Sequence, residues 1–381
     1  MSVTDTTSPT AKRSRLSAIG DSVDLARLLL EGRAFFALIV IVIVFSFLSP
    51  YYFTLGNFLT MATHVAIFGI LAVGMLLVIL NAGIDLSVGS TLALSGVVAG
   101  FLMQGVTLNA LGVVLYPPVW VVAVLTCALG AFVGMINGVL IARFKVPAFV
   151  ATLGVMYVAR GVALLITNGL TYNNLAGRAD LGNTGFDWLG FNRLFGVPIG
   201  VLVLAVVAIV GSVVLTRAPF GRWLYATGGN ERAAELSGVP VRFVQVMVYV
   251  ISGICAAITG LILSSQLTSA GPTAGASYEL TAIAAVVIGG ASLSGGRGHI
   301  RGTLLGAFVI GFLSDGLVII GISSYWQTVF TGAVIVLAVL LNAVQYRRRV
   351  KPSGSTDGPS TSQQQGGAAR KAEPTLEKTA G

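Results

Sequence analysis

Long apolar runs separated by short polar breaks set the pattern of this chain, with runs near 34–53, 58–80, 88–105, 118–142, 147–167, 197–215, 244–264, 279–296, 302–320 and 325–344. A run of about 18 or more apolar residues is long enough to cross the ~30 Å hydrocarbon layer as a helix. None shows the alternating ~10-residue signature of a membrane barrel strand. The pattern predicts an all-α membrane protein with about ten transmembrane helices over residues 34–346. It leaves a polar, basic arm at 1–33 and a Ser-, Gly-, Gln- and Lys-rich tail at 347–381, predicted to be disordered. The arm has no apolar core followed by a small-residue cleavage site, so the first apolar run is expected to stay as a helix.

One interruption stands out. Residues 217–243 carry Arg217, Arg222, Arg232 and Arg242 with Glu231 and Glu235 between two apolar blocks. Charges cost kcal/mol apiece in hydrocarbon, so this segment belongs in water. Gly228-Gly229-Asn230 reads as a turn, and 231–237 as about two turns of helix stopped by Gly238 and Pro240. The longest connection on the opposite side, 168–196, carries Asn173, Asn174, Asp180, Asn183 and Asp187, expected to keep it in water. Lysine and arginine counts set orientation, because basic loops stay in the cytoplasm. Ten crossings with the N-terminus inside put Arg143, Lys145, the central arginines, Arg297, Arg301 and Arg347–Arg349 on the cytoplasmic side, leaving only Arg178 and Arg193 outside. Both termini and the 217–243 loop are then cytoplasmic.

Composition agrees: 55% of residues are hydrophobic and 10% charged, against roughly 25% charged in soluble domains. The net charge of +9 sits at segment ends, which argues for a membrane surface and against nucleic acid. Cys127 and Cys255 lie inside apolar runs and form no disulfide or metal pattern.

Catalytic signatures are lacking. His64 and His299 are isolated and read as interfacial or surface residues, with no metal or nucleophile motif around them. None of the five lysines follows glycine in a phosphate-binding loop, so the chain has no ATPase motif of that kind. Ionisable residues at membrane depth are the candidates for function: Arg160, Glu279 and Asp315, with Asp85 at a helix junction. Asp85 suits either a helix cap or a substrate contact. Arg160 suits a structural pair or a pathway, Glu279 a first-turn dipole partner, and Asp315 a position that reaches water. Asn81, Ser87, Asn168 and Gln327 supply further hydroxyl and amide groups. Glycines within the runs, Gly154 and Gly161 among them, suit close helix packing, and Tyr51, Tyr52, Trp120, Trp188, Tyr325 and Trp326 form an interfacial belt. A partial likeness between 83–89 (GIDLSVG) and 290–296 (GASLSGG) hints at internal repetition.

The runs AVGMLLVILNAGIDLSVGS (72–90), KVPAFVATLGVMYVARGVALLITNG (145–169), GRWLYATGGNERAAELSGVPV (221–241), SAGPTAGASYELTAIAAVVIGGASLSGGRGHIRGTLLGAF (269–308) and GISSYWQTVFTGAVIVLAVLL (321–341) resemble the permease subunits of bacterial ABC importers for ribose, xylose and arabinose. The likeness covers roughly 35–346 and is loose over 170–200. It implies a dimer of such permeases in the lipid of the bacterial inner membrane, served by a cytoplasmic ATPase that holds ATP and Mg, and by a sugar-binding protein on the outer face. It also implies that the segment matching Asn230, Ala233, Ala234 and Gly238 docks in a cleft of the ATPase, with Glu231, Arg232 and Glu235 placed to form ion pairs at the rim. A neutral pentose or polyol would pass Asn81, Asp85, Ser87, Arg160, Asn168, Glu279, Asp315 and Gln327. Two other readings stay open: an ion-coupled secondary transporter with Arg160, Glu279 and Asp315 as a proton relay, and a membrane scaffold without transport.

Overall fold

The computed structural model describes residues 33–109 and 112–350. The arm before Arg33 and the tail beyond Val350 lie outside the described residues. A helix satisfies its own backbone groups without water, and the apolar runs fold accordingly. They form α1 (Arg33–Leu48), α2 (Leu55–Leu80), α3 (Val88–Gln104), α4 (Val119–Ala142), α5 (Ala148–Thr167), α7 (Ile199–Thr216), α10 (Val241–Leu267), α11 (Tyr278–Ile288), α12 (Ile300–Ile319) and α13 (Ser324–Val350), with the short α6 (Trp188–Phe191) and the strands β1 (Val106–Leu108), β2 (Val113–Leu115), β4 (Arg193–Leu194) and β5 (Val197–Pro198) in the connections. Six of these, α2, α4, α5, α7, α10 and α12, are long and apolar enough to cross a membrane, while α1, α3 and α11 are shorter.

The run at 279–296 is not one membrane-spanning helix, although the chain still passes from the Ala270 end of the bundle to the Leu80 end at Gly296. Helix α11 ends at Ile288, and Gly290, at φ +91°, turns the chain away. Eleven residues span about 16 Å at 1.5 Å each, half the hydrocarbon layer.

Helix α10 is the hub, packing on α4, α2 and α3. Its contact with α4 is backbone on backbone: a Cβ at Gly130 would fall on the Gly253 carbonyl, and one at Gly134 on the Tyr249 carbonyl. Small residues permit such approach, and dispersion and packing then hold helices together where no hydrophobic effect operates. Gly134→Leu is therefore expected to separate α4 from α10 at a cost of about 1–3 kcal/mol or more. A lower melting temperature in detergent would show it, and an unchanged one would refute this packing account. Gly154 and Gly161 do not pack this way, since each faces open space on α5.

Two sets of contacts define the ends of the bundle. At one, Gly296 N–H donates to the Leu80 carbonyl (2.9 Å) and Lys145 meets Glu231 (3.1 Å). At the other, β3 (Tyr172–Asn173) pairs antiparallel with β6 (Ser269–Ala270), and Ser265 Oγ donates to the Phe186 carbonyl (2.6 Å). The 168–196 connection stays exposed at Asn173, Asn174 and Asp180, as expected, but is pinned to the bundle at Asn183 and Phe186. Asn183 is 1% exposed, donating to the Met103 carbonyl (2.9 Å) and accepting from Arg178 N–H (2.8 Å), and Phe186 is buried beside it. Asp180 stays at the surface, where Arg178 holds its carboxyl below the usual range. Tyr52 leaves the expected interfacial belt: it is buried, stacks on Phe45 and donates to the Phe312 carbonyl (3.1 Å).

Candidate functional site

Residues 217–243 form two short helices, α8 (Pro219–Gly229) and α9 (Glu231–Leu236). Gly228 and Gly229 close α8 and do not form the turn themselves; Asn230, extended at φ −159°, makes the break. Its Oδ1 accepts from Ala233 N–H (3.0 Å), capping α9. Gly238, at φ +81°, ends α9 with its N–H on the Glu235 carbonyl. Ala233 and Leu236 face outward, whereas Ala234 is turned inward and 5% exposed. Glu231 pairs with Lys145, and Arg232 with Glu235 (2.9 Å). Both pairs are exposed and contribute little to stability.

This short-helix unit is seated on the bundle. Gly228 lies against the Leu80 carbonyl, the same oxygen that accepts from Gly296 N–H. Tyr225 donates its hydroxyl to the Gly298 carbonyl (2.7 Å), and burial pushes its pKa up, so the proton stays in place. Asn81, half-buried, caps α2 at this point.

From Asn81 the chain re-enters the bundle without helix until α3 begins at Val88. Asp85, 1% exposed, holds this segment. Its Oδ1 accepts from the Ser87 N–H (3.0 Å) and Ser87 Oγ (2.6 Å), and its Oδ2 from Ser252 Oγ (2.9 Å) on α10. Asn137 on α4 donates to Ser87 Oγ (2.8 Å), and Thr152 on α5 to the Ile84 carbonyl (3.3 Å). Asp85 does not cap α3, whose first amides receive no side-chain bond; with Ser87 it instead knits the segment ahead of α3 to α10 and α4, and both are buried. Ser252 and Asn137 escape a sequence reading; their only signal is a polar side chain within an apolar helix.

A second non-helical segment, 271–277, runs from β6 to the start of α11. Arg160, in the interior of α5, donates from Nη1 to the Pro272 (2.6 Å) and Ala274 (2.9 Å) carbonyls. Glu279, in the first turn of α11, interacts electrostatically with Arg160 and lies against Gly89 at the start of α3. Two short helices, each led by an unwound segment, therefore meet inside the bundle. The likeness of 83–89 to 290–296 does not mark this relation, because 290–296 follows α11 while 271–277 precedes it. Thr273, Ala276 and Ser277 are exposed on the chain's surface.

The remaining candidates are dispersed. Asn168, left-handed at φ 50°, caps the exposed far end of α5, and Gln327 on α13 donates to the Ile322 carbonyl (2.9 Å). Asp315 does not reach water as expected: it is 9% exposed and its Oδ1 is 2.7 Å from His64 Nδ1 on α2. His64 is thus bound to a carboxylate, a role hidden by the 251 residues between the partners.

A family model described as branched-chain amino acid transport system / permease component matches residues 57–339. The ribose import permease protein of Escherichia coli strain K12 is 45% identical over 315 residues, covering 82% of this chain and 94% of that protein. That of Bacillus subtilis strain 168 is 46% identical over 309 residues, covering 81% and 91%. The xylose transport system permease protein of Escherichia coli strain K12 is 35% identical, covering 82% and 91%. No solved structure matches the chain.

Proposed function

Because the chain belongs to this permease-component family, we propose that it is the membrane-spanning subunit of an ATP-driven importer for ribose, xylose or a related sugar or polyol. The observation that carries the mechanism is the shared Leu80 carbonyl, which ties the α8–α9 unit to the start of the unwound segment 81–87. Motion imposed on α9 from outside has a direct route into the bundle.

The end bearing α8 and α9 also bears Arg143, Lys145, Arg217, Arg222, Arg232, Arg242, Arg297 and Arg301, and the opposite end Arg178 and Arg193. That asymmetry supports a cytoplasmic position for α9 and, with ten crossings, cytoplasmic termini. A cytoplasmic ATPase binding ATP and Mg docks there, with Ala233 and Leu236 as its contact and Glu231 and Glu235 at the rim. A sugar-binding protein takes the opposite end.

Unwound backbone cannot face lipid, since its N–H and C=O groups would go unsatisfied. Exposure of Thr273, Ala276 and Ser277 beside Arg160 therefore supports a second copy of the chain across a shared, hydrated pathway. A neutral sugar is handed along by hydroxyl, amide and backbone groups there, with Glu279, Asn168 and Gln327 on its borders. The ion-coupled reading is less favoured, because Arg160 is engaged by carbonyls and Asp315 by His64.

Ala233→Glu tests the docking role. It places a charge on the outer face of α9 without disturbing the bundle, and is expected to abolish ATP-dependent sugar uptake and co-purification of an ATPase while membrane levels stay normal. Normal uptake by this variant would refute the assignment.

A further inference from the structure

Resting on the permease reading, we propose that His64, positioned by Asp315, contacts the sugar in the outer half of the pathway and helps to set which polyhydroxylated solute passes. Thr60, His64 and Phe68 follow one another by single turns on one stripe of α2. Phe68 meets the ring of Tyr278 edge-on, with centroids 5.1 Å apart. Tyr278 is the first residue of α11 and directly follows the exposed Ala276 and Ser277. Ahead of Tyr278 the chain is non-helical over 271–277 and is held by Arg160 on α5, so among the described residues α11 does not extend along the stripe toward the outer end. His64 therefore borders the space that a full-length α11 would fill.

The chemistry fits a neutral polyol. The imidazole side chain is 47% exposed while the Asp315 side chain is 12% exposed. Asp315 anchors Nδ1 and fixes the ring, leaving Nε2 without a protein partner among the described residues. Asp315 Oδ2 is buried and also without one. Tyr52, the nearby phenol, is already committed to the Phe312 carbonyl. A half-exposed imidazole bonded to a carboxylate is costly against lipid and well placed in a hydrated vestibule. There it offers a fixed nitrogen to one sugar hydroxyl, a geometry that responds to the configuration of the carbon bearing it.

Two measurements test this. In intact spheroplasts producing the full chain, a membrane-impermeant maleimide applied from outside should label His64→Cys and Thr60→Cys but not Met61→Cys, whose position is 2% exposed. Labelling of His64→Cys no faster than Met61→Cys would overturn the placement. In cells carrying the intact importer, uptake of labelled D-ribose and D-xylose is then compared between wild type and the double variant His64→Gln, Asp315→Asn. That variant keeps side chains of similar size that carry hydrogen-bonding groups, but removes the imidazole and the carboxylate. The uptake ratio of the two sugars is expected to shift about fivefold, the size of one hydrogen bond, with membrane levels unchanged. An unchanged ratio with unchanged KM for both sugars overturns the selectivity role. Uptake of neither sugar by the wild type, with His64→Cys labelled, would strike the sugar reading and leave the vestibule standing.

Discussion

Gly228→Val is expected to abolish ATP-dependent uptake even though the substitution lies outside the apolar helices. A Cβ there would fall on the Leu80 carbonyl oxygen and come within 2.8 Å of Gly296 N. Both obstacles are backbone, so neither can swing aside as a side chain would. Overpacking of this kind costs about 1–3 kcal/mol, and relief requires α8 to lift off the end of α2. Gly229→Ala is the matched control, because a Cβ at Gly229 meets nothing within 4 Å. Uptake and thermal stability should be close to wild type for Gly229→Ala and lost or lowered for Gly228→Val. Equal behaviour of the two would show that the seat on Leu80 transmits nothing.

Removing the guanidinium of Arg160 should have an effect of similar size by a different route. In Arg160→Met the Pro272 and Ala274 carbonyls lose the donor that holds the 271–277 segment, and a hydrogen bond to a charged group contributes about 1.5–3 kcal/mol. The segment is then free to collapse, and uptake is expected to fall about tenfold or more. Arg160→Lys, with a donor on a shorter reach, should recover part of it. Wild-type uptake by Arg160→Met would exclude the latch. Protection of the 271–277 segment from protease in wild type but not in Arg160→Met would locate the loss.

Helix positions were legible because apolar runs in lipid have few alternatives to helix, and α2, α4, α5, α7, α10 and α12 begin within about four residues of where hydropathy puts them. The α9 helix was legible from its caps, Asn230 before it and Gly238 after it. Hydropathy counts apolar residues but does not say where the chain turns, so the early end of α11 inside an apolar run was hidden. Pairings across sequence were hidden too. His64 with Asp315, Asp85 with Ser252, and Asn183 with Met103 join residues between 80 and 251 positions apart, and nothing local at either partner names the other. Likewise, Tyr52 carries the aromatic signal of an interfacial residue, and only the packing of Phe45 beside it makes it a core residue.

The strand pair β3–β6 bears on how the molecule moves. Two-residue strands contribute little affinity alone, but here they lace the 170s connection to the end of α10, with Leu175 N–H on the Thr268 carbonyl (3.1 Å) and the Ser265–Phe186 bond beside them. At the opposite end α8 lies against the Leu80 carbonyl of α2 through Gly228, and its Tyr225 hydroxyl donates to the Gly298 carbonyl ahead of α12. Pinned by its strand, the 170s connection fixes the spacing of α5 and α10 at the β3–β6 end, because the strand pairing and the Ser265–Phe186 bond must break before the two can part.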